Sequence, residues 1–297
     1  MRKKIIFSGA CTALITPFKD GKIDYEALDK IIEEQISAGV GALLVGGTTG
    51  EAATLDDGER RELYAFARKK TADRTALILG TGSNDTEKAL AYTRYANELG
   101  ADAVLLVAPY YNKGTEDGVF RHFSRIAEEC PIPQILYNVP SRTGGNLSIN
   151  NLTRLSAYPN ICGIKEASGS LERLNEIAYF SDTLPLYAGN DGEIFVTLAL
   201  GGFGVISVLS NLFPATVVRL CRLFRDGRQA EARELQWELF PMIKALFLET
   251  NPAPIKYAMM LRGLCKSELR LPLALPSESV CRIIEREYKK LTLGGNT

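Results

Sequence analysis

Short apolar segments alternate with amphipathic segments along the first three quarters of the chain. The amphipathic segments carry apolar residues at helical spacing and charged residues on the opposite face, which predicts helices. The clearest of them cover residues 25–38, 57–70, 86–99 and 115–129. The short apolar segments predict eight strands, at residues 11–16, 42–47, 76–81, 103–108, 134–139, 162–166, 185–189 and 204–209.

This alternation predicts an α/β fold with a parallel sheet. The segment Val-Leu-Leu-Val at 104–107 is apolar throughout, as expected for a strand covered by helices on both faces of the sheet. Eight strand–helix units in about 225 residues favour a closed (β/α)8 TIM barrel, and an open doubly wound sheet is the alternative. Beyond this point the pattern is helical only, at residues 228–248, 255–263 and 277–288. We therefore predict a catalytic barrel at residues 1–225 and a C-terminal helical region at residues 226–297.

The amino-acid composition limits the classes of molecule that the protein is expected to bind. The 297 residues include 35 basic and 35 acidic side chains, without a basic stripe or an acidic tail. This balance argues against nucleic acid or a charged membrane and favours a small-molecule substrate. Six scattered cysteines without a C-x-x-C pair, and His122 as the single histidine, argue against a zinc site or a disulfide framework. We expect reduced thiols, a cytoplasmic location and an ordinary helical position for His122.

Two segments have a superficial likeness to membrane signals. Basic residues at 2–4 precede an apolar stretch, but this stretch is short and continues into the predicted first strand, which cleavage would damage. Residues 194–209 are uncharged, but this segment contains three glycines and is shorter than the roughly 20 residues that a spanning helix needs. We expect neither secretion nor membrane insertion, and we predict helix, turn and strand for the second segment.

Lys165 is the strongest candidate for chemistry. It lies near the end of the predicted sixth strand, in Gly-Ile-Lys-Glu-Ala-Ser, where burial of its side chain is expected. Burial disfavours the charged form of a lysine, and a neutral amine can attack a ketone to form a Schiff base. The alternative is a strand-end lysine that reaches water or pairs with Glu166.

Other polar residues follow the predicted strands, and active sites of (β/α)8 barrels lie at the carboxyl ends of their strands. The second strand leads into a glycine-rich turn whose Thr48 and Thr49 can hold a carboxylate. Tyr137 on the fifth strand can move protons at a lysine on the sixth, and Arg142 beyond it can bind a carboxylate through two hydrogen bonds. A plain turn, core packing and a salt bridge are the structural alternatives for these residues.

Two further glycine-rich segments do not predict a cofactor site. Residues 80–82 and 201–204 lack the spacing and the following helix of a dinucleotide-binding fingerprint. We therefore expect no organic cofactor.

Six motifs in this order and spacing carry a resemblance to a known family: GGTTGEAATL, APYYNKGT, YNVPSRTGGNL, GIKEASG, AGND and GVISV. The chain closely resembles the dihydrodipicolinate synthase family over nearly its whole length. Tyr137 and Lys165 at this spacing, with the threonine pair upstream, indicate the class I pyruvate-dependent aldolases and lyases, and Arg142 narrows the choice. N-acetylneuraminate lyases and keto-deoxy sugar acid aldolases are the alternative within that superfamily, and a non-catalytic barrel that binds pyruvate or a sugar acid is the alternative outside it.

The resemblance implies a catalytic set. Lys165 would form a Schiff base with pyruvate and Tyr137 would donate and accept protons, while Thr48 and Tyr111 would complete the relay. In the family this last tyrosine is lent across a subunit interface, which implies a homo-oligomer, commonly a tetramer built from two tight dimers. Covalent catalysis of this kind requires no metal and no organic cofactor.

The resemblance also implies two substrates. Thr49 would hold the pyruvate carboxylate with a backbone contact from Ile206, and Arg142 would bind the carboxylate of L-aspartate 4-semialdehyde. Their condensation by a lyase would give 4-hydroxy-tetrahydrodipicolinate, an intermediate on the diaminopimelate route to lysine.

Regulation by lysine is the point at which this chain departs from part of the family. Lysine-sensitive members bind lysine in a cleft at the dimer interface, and Asn84 and Tyr110 fit that site. However, Asp57, Arg60 and Lys88 stand where sensitive members typically have imidazoles or a carboxylate. Lys88 would repel the ammonium group of the effector, so we predict weak or absent inhibition by lysine.

Overall fold

The structure is a computed structural model that describes residues 3–179 and 183–293. Eight parallel strands close into a barrel in which each strand pairs with the next and the eighth pairs with the first. In chain order these are Gly9–Ala13, Ala42–Val45, Ala76–Gly80, Ala103–Val107, Gln134–Asn138, Ile161–Glu166, Leu186–Ala188 and Gly204–Ser207. The predicted (β/α)8 barrel is confirmed, and the open sheet is wrong.

Helices connect the strands and enclose the barrel. They are Tyr25–Ser37, Asp57–Thr71, Thr86–Glu98, Glu116–Glu129, Pro140–Thr143, Ile149–Leu155, Leu171–Tyr179, Ile194–Ala199 and Pro214–Arg225, followed by the C-terminal helices Gln229–Ala245, Ala253–Leu261 and Glu278–Leu293. A small hairpin, Phe18–Lys19 with Lys22–Ile23, follows the first strand, and 3-10 turns lie at Ala52–Thr54, Asp191–Glu193 and Leu209–Asn211. Within residues 3–179 and 183–293, no helix is long and apolar enough to cross a membrane.

Side chains that alternate along the strands divide the core into two layers. In the second strand, Leu43 and Val45 pack against the surrounding helices, whereas Ala42 and Leu44 fill the barrel interior. The strand is apolar throughout because both of its faces are covered. The outer layer continues into the C-terminal helices through Ile255, so one apolar core crosses the predicted boundary after residue 225.

The strand bounds differ from the predicted ones mainly at the carboxyl ends. The second strand ends at Val45 because Gly46 has a φ of +68°, and a Cβ on this glycine would lie 2.6 Å from the Tyr64 ring. The eighth strand ends at Ser207, shortly before the 3-10 turn that begins at Leu209. Small and apolar residues continue past both ends, so composition does not mark where the loops begin. The predicted helix, turn and strand within residues 194–209 are confirmed.

A buried ion pair joins the C-terminal region to the mouth of the barrel. Lys256 Nζ bonds to Glu51 with both side chains fully buried, and it also donates to the Glu268 carbonyl at 2.8 Å. The second Glu51 oxygen accepts from the Arg270 backbone N–H at 3.1 Å. Burial lowers the pKa of Lys256, and the charge of Glu51 opposes this shift. The pair therefore fastens the C-terminal region to the loop that follows the second strand.

Substitution of Lys256 tests the contribution of this pair. Lys256→Met leaves the Glu51 carboxylate buried without its partner, which we expect to lower the free energy of unfolding by about 3–5 kcal/mol. Lys30→Met is the control, because it breaks an exposed pair with Glu26 and should leave the denaturation midpoint unchanged. Chemical denaturation of both variants measures the difference, and equal midpoints would contradict it.

His122 lies in the helix Glu116–Glu129, as predicted, and it is buried. Its Nδ1 lies 2.9 Å from Thr86 Oγ1, its Nε2 has no hydrogen-bond partner in the described chain, and burial lowers its pKa to about 4. A histidine in the unfolded chain titrates near pH 6.5, so the unfolded state binds more protons between about pH 6.5 and pH 4. The stability that the neutral imidazole contributes is therefore lost as pH falls through this window.

We expect His122→Gln to flatten the dependence of stability on pH. Between pH 6.5 and pH 5, the free energy of unfolding of the parent should fall by about 1.5 kcal/mol more than that of the variant. Urea denaturation at both pH values measures this difference. Both values lie above the pH range in which most carboxylates take up protons. The same pH dependence in parent and variant would show that another group is responsible.

Candidate active site

A cavity of about 350 Å³ lies at the carboxyl end of the barrel, between the strand loops and the C-terminal region. Its wall includes Thr48, Tyr137 and Arg142 from the predicted site. A larger groove of about 680 Å³ lies beside Lys19 and Leu275, but none of the predicted site residues lines it. The smaller cavity has the size and the mixed polar and apolar lining of a site for a small organic molecule.

Lys165 and Tyr137 meet on neighbouring strands of the barrel. They are partners in the parallel register between the sixth and fifth strands, and Lys165 Nζ lies 4.3 Å from the centroid of the Tyr137 ring. Their exposed fractions are 5% and 6%. The predicted burial of Lys165 is thereby confirmed, and the alternative in which it reaches water is wrong.

Glu166, the other alternative partner of Lys165, is bound elsewhere, since successive strand residues point to opposite faces. Its carboxylate accepts from Asn138 Nδ2 at 2.9 Å, from Arg173 Nε at 3.0 Å and from the Ser168 backbone N–H at 2.7 Å. In the part of the chain that the structure describes, no ion pair includes Lys165. The amine therefore lies in the barrel with an aromatic ring as its neighbour and without a carboxylate to hold it.

A buried acid follows the seventh strand. Asp191 accepts from the backbone N–H groups of Val208 and Leu209, at 2.9 and 3.0 Å, and from the Ser207 hydroxyl. Burial raises its pKa, while these hydrogen bonds and the charge of Lys165 oppose that rise. Asp191 thereby fixes the turn after the eighth strand. Asp191 belongs to the motif AGND but is not among the predicted site residues. The signal in the sequence is an acidic residue shortly after a buried strand.

Ile206 lies on the eighth strand, where it pairs in register with Cys11 on the first. Both residues are fully buried in the barrel interior. Burial raises the pKa of the Cys11 thiol, and the charge of Lys165 opposes that rise. Ile206 lies two strands along the barrel from Lys165, and its backbone contact with a ligand stays a prediction.

The threonine pair lies in the turn after the second strand. Thr48 is half-buried on the cavity wall, whereas Thr49 is buried and its Oγ1 accepts from Asn251 Nδ2 at 3.0 Å. The backbone N–H of Glu51 bonds to the Thr48 carbonyl at 3.1 Å inside the turn, so it is not free for a ligand. The turn therefore offers a ligand the two threonine hydroxyl groups and their backbone N–H groups, which donate to none of the loop carbonyls of the described chain.

Tyr111 and Arg142 lie in the segments that follow the fourth and fifth strands. Arg142 belongs to the helical turn Pro140–Thr143, lines the cavity and donates from Nη2 to the Asn251 carbonyl at 2.9 Å. Tyr111 is 91% exposed at a φ of +69°, and it does not line the cavity, although Tyr110 does. Within one subunit, the predicted residues that line the cavity are Thr48, Tyr137 and Arg142, and Lys165 lies against Tyr137. The cavity lining does not include Lys165, Thr49, Ile206 or Tyr111.

Of the residues that bear on the predicted response to lysine, Arg60 and Tyr110 line the same cavity. Arg60 is buried against the cavity wall, donates to the Ala52 carbonyl at 2.6 Å and lies over the Tyr92 ring, 4.4 Å from its centroid. The Tyr92 hydroxyl donates to Asp57 at 2.6 Å, and Lys88 is exposed. Arg60 and Asp57 therefore already have partners within the subunit.

A buried lysine against a tyrosine, at the carboxyl end of a closed (β/α)8 barrel and beside a small-molecule cavity, defines the class of Schiff-base-forming barrel enzymes. The chain belongs to the dihydrodipicolinate synthetase family, whose model matches residues 6–289. The resemblance inferred from the motifs is thereby confirmed.

Individual relatives match over nearly their whole length. The chain is 43% identical to the 4-hydroxy-tetrahydrodipicolinate synthase of Clostridium novyi, over 94% of this chain and 95% of that protein. It is 44% identical to the enzyme of the same name from Kosmotoga olearia, over 95% of this chain and 97% of that protein. The crystal structure of dihydrodipicolinate synthase from Aquifex aeolicus superposes with a TM-score of 0.95 at 41% identity, covering 98% of this chain and 100% of that chain.

Proposed function

We propose that this protein condenses pyruvate with L-aspartate 4-semialdehyde to form 4-hydroxy-tetrahydrodipicolinate, on the diaminopimelate route to lysine. The observation that carries the proposal is the buried Lys165 amine against Tyr137, beside a cavity lined by Thr48 and Arg142. The names of the relatives support the same reaction.

Lys165 acts as the nucleophile. Its amine attacks the keto carbon of pyruvate, and loss of water from the carbinolamine gives an imine. The imine takes up an electron pair when a methyl proton leaves, and the resulting enamine carbon forms the new bond to the aldehyde carbon. The amino group of the added chain then displaces Lys165, which closes the ring and restores the free amine.

Tyr137 and Thr48 handle the protons of these steps. The contact between the Tyr137 ring and Lys165 Nζ supports proton transfer at the carbinolamine, and Thr48 on the cavity wall extends the relay toward solvent. Thr49 holds the pyruvate carboxylate with a backbone contact from Ile206, and Arg142 on the cavity wall binds the carboxylate of the second substrate.

Tyr111 completes the relay from a second subunit. Its side chain is 91% exposed and does not line the cavity of its own subunit, as suits a residue that projects into a neighbouring copy. We propose a homo-oligomer, a tetramer assembled as a dimer of dimers, in the cytoplasm. The six cysteines are free thiols, which fits a reducing compartment.

Lys165→Ala should abolish turnover, because it removes the group that forms the imine. We expect kcat to fall by at least about 1,000-fold, with Lys30→Ala, an exposed lysine on the first helix, as the control that retains activity. Borohydride reduction with pyruvate should add the reduced pyruvate to the parent and to the control, but not to Lys165→Ala. Retention of activity by Lys165→Ala would refute the mechanism.

The identity of the aldehyde that accepts the pyruvate enamine is tested with the same purified protein. L-Aspartate 4-semialdehyde, N-acetylmannosamine and short sugar aldehydes are compared at equal pyruvate concentration. Preference for the semialdehyde supports the proposed reaction, and preference for a sugar aldehyde would assign the protein to the lyase branch. Absence of a trapped imine in the parent would instead favour a non-catalytic binding barrel.

Lysine should inhibit this enzyme weakly or not at all. Asp57 and Arg60 are held by partners within the subunit, and the exposed charge of Lys88 repels the effector ammonium. A steady-state titration with lysine measures the effect, and Lys88→Glu should bind lysine more tightly than the parent. Lys30→Glu is the control for the charge change, and strong inhibition of the parent at sub-millimolar lysine would contradict the prediction.

A further inference from the structure

We infer that Asn251 is a positioning residue that orients the Thr49 hydroxyl toward the carboxylate of the keto acid while its backbone carbonyl holds Arg142. The inference rests on the proposed function, in which these two residues bind the carboxylates of the two substrates. Asn251 lies outside the barrel strands, just before the C-terminal helix Ala253–Leu261, and it lines the cavity.

The contacts of Asn251 divide between its side chain and its backbone. The side-chain Nδ2 donates to Thr49 Oγ1 at 3.0 Å, and both side chains are buried. The backbone carbonyl accepts from Arg142 Nη2 at 2.9 Å. One residue therefore touches both of the groups that are assigned to carboxylate binding, and it does so through two chemically separate groups.

The hydrogen bond that Thr49 accepts from Asn251 determines how the Thr49 hydroxyl can bind a ligand. A hydroxyl has one hydrogen to donate and two lone pairs to accept with. Because one lone pair already accepts from Asn251, the hydrogen of Thr49 is directed away from the amide and remains available to a ligand. A hydrogen bond from this hydroxyl to a carboxylate is charge-assisted, so its alignment matters for binding.

The position of Asn251 is itself fixed. The helix that begins two residues later contains Lys256, and its ion pair with Glu51 ties that helix to the turn that carries Thr49. The buried ion pair between Lys256 and Glu51 therefore holds Asn251, the donor, and Thr49, the acceptor, in fixed relative positions. A site residue held in this way can keep its partner aligned without help from the ligand.

The stability of the folded protein does not by itself explain why residue 251 carries an amide side chain. Asn251 is 6% exposed, and within the described chain its Oδ1 has no hydrogen-bond partner. A buried polar atom left without a partner costs about 1–3 kcal/mol. An apolar side chain would avoid this cost, so a residue selected only for packing would not carry the amide here. The contact with Thr49 is the feature that the amide adds.

Two substitutions test the inference, since every side-chain variant keeps the backbone carbonyl that holds Arg142. Asn251→Ala should raise the KM for pyruvate about tenfold, the effect of roughly 1.4 kcal/mol, and leave the KM for the semialdehyde within about twofold. Asn251→Asp should raise the KM for pyruvate further, because a carboxylate takes the Thr49 hydrogen for itself and repels the ligand carboxylate. Neither variant should lower the melting temperature by more than a few degrees.

The relative sizes of the KM changes in Asn251→Ala and Asn251→Asp distinguish a positioning role from a packing role. A packing role predicts that the isosteric Asp harms the enzyme less than Ala, and that both KM values rise together with a lower melting temperature. A second check uses Thr49→Val, in which Asn251→Ala should have no further effect on the KM for pyruvate. Either the packing result or an unchanged KM for pyruvate would overturn the inference.

Failure of this inference is distinguishable from failure of the proposed function. Borohydride trapping with pyruvate reports imine formation in the parent independently of Asn251. If the parent forms no imine, the proposed function fails. If the parent forms it and the Asn251 variants trap pyruvate with the same concentration dependence as the parent, only the role of Asn251 is refuted.

Discussion

The parallel register between the fifth and sixth strands is the constraint on which the candidate site depends. It pairs Tyr137 with Lys165 and Asn138 with Glu166, so that each pair lies on one face of the sheet. A slip of one residue would exchange the faces, sending the lysine toward the helices and the glutamate into the barrel. Closure of the barrel makes this register hard to change, because each strand is held by a neighbour on both sides.

The buried acids around the barrel mouth are each satisfied by other groups. Glu166 is bound by Asn138 and Arg173, and Asp191 is bound by the turn after the eighth strand. These contacts shape the loops and leave the Lys165 amine beside an aromatic ring. Among the described residues no ion pair includes this amine, and the hydrogen bonds of Glu166 and Asp191 hold the neighbouring turns in place.

The C-terminal region completes the site instead of merely covering the barrel. Its ion pair from Lys256 to Glu51 and its amide from Asn251 to Thr49 both reach the turn after the second strand. The carbonyl of Asn251 reaches Arg142 after the fifth strand. One C-terminal segment thus contacts two of the residues to which substrate binding is proposed, which connects the C-terminal helices physically to the candidate site.

Local patterns in the sequence determined the eight strands, the amphipathic helices and the candidate site residues, and they favoured a closed barrel over an open sheet. Strand and helix periodicity and strand-end position are properties of short segments, whereas closure of the barrel is seen only in the folded chain. Tertiary structure alone decided the partner of Glu166, the exposure of Tyr111 and the contact between Thr49 and Asn251, which are 202 residues apart. An asparagine or a lysine in a polar loop looks the same in sequence whether it faces water or a distant side chain. Its partner is set only when the whole chain has packed.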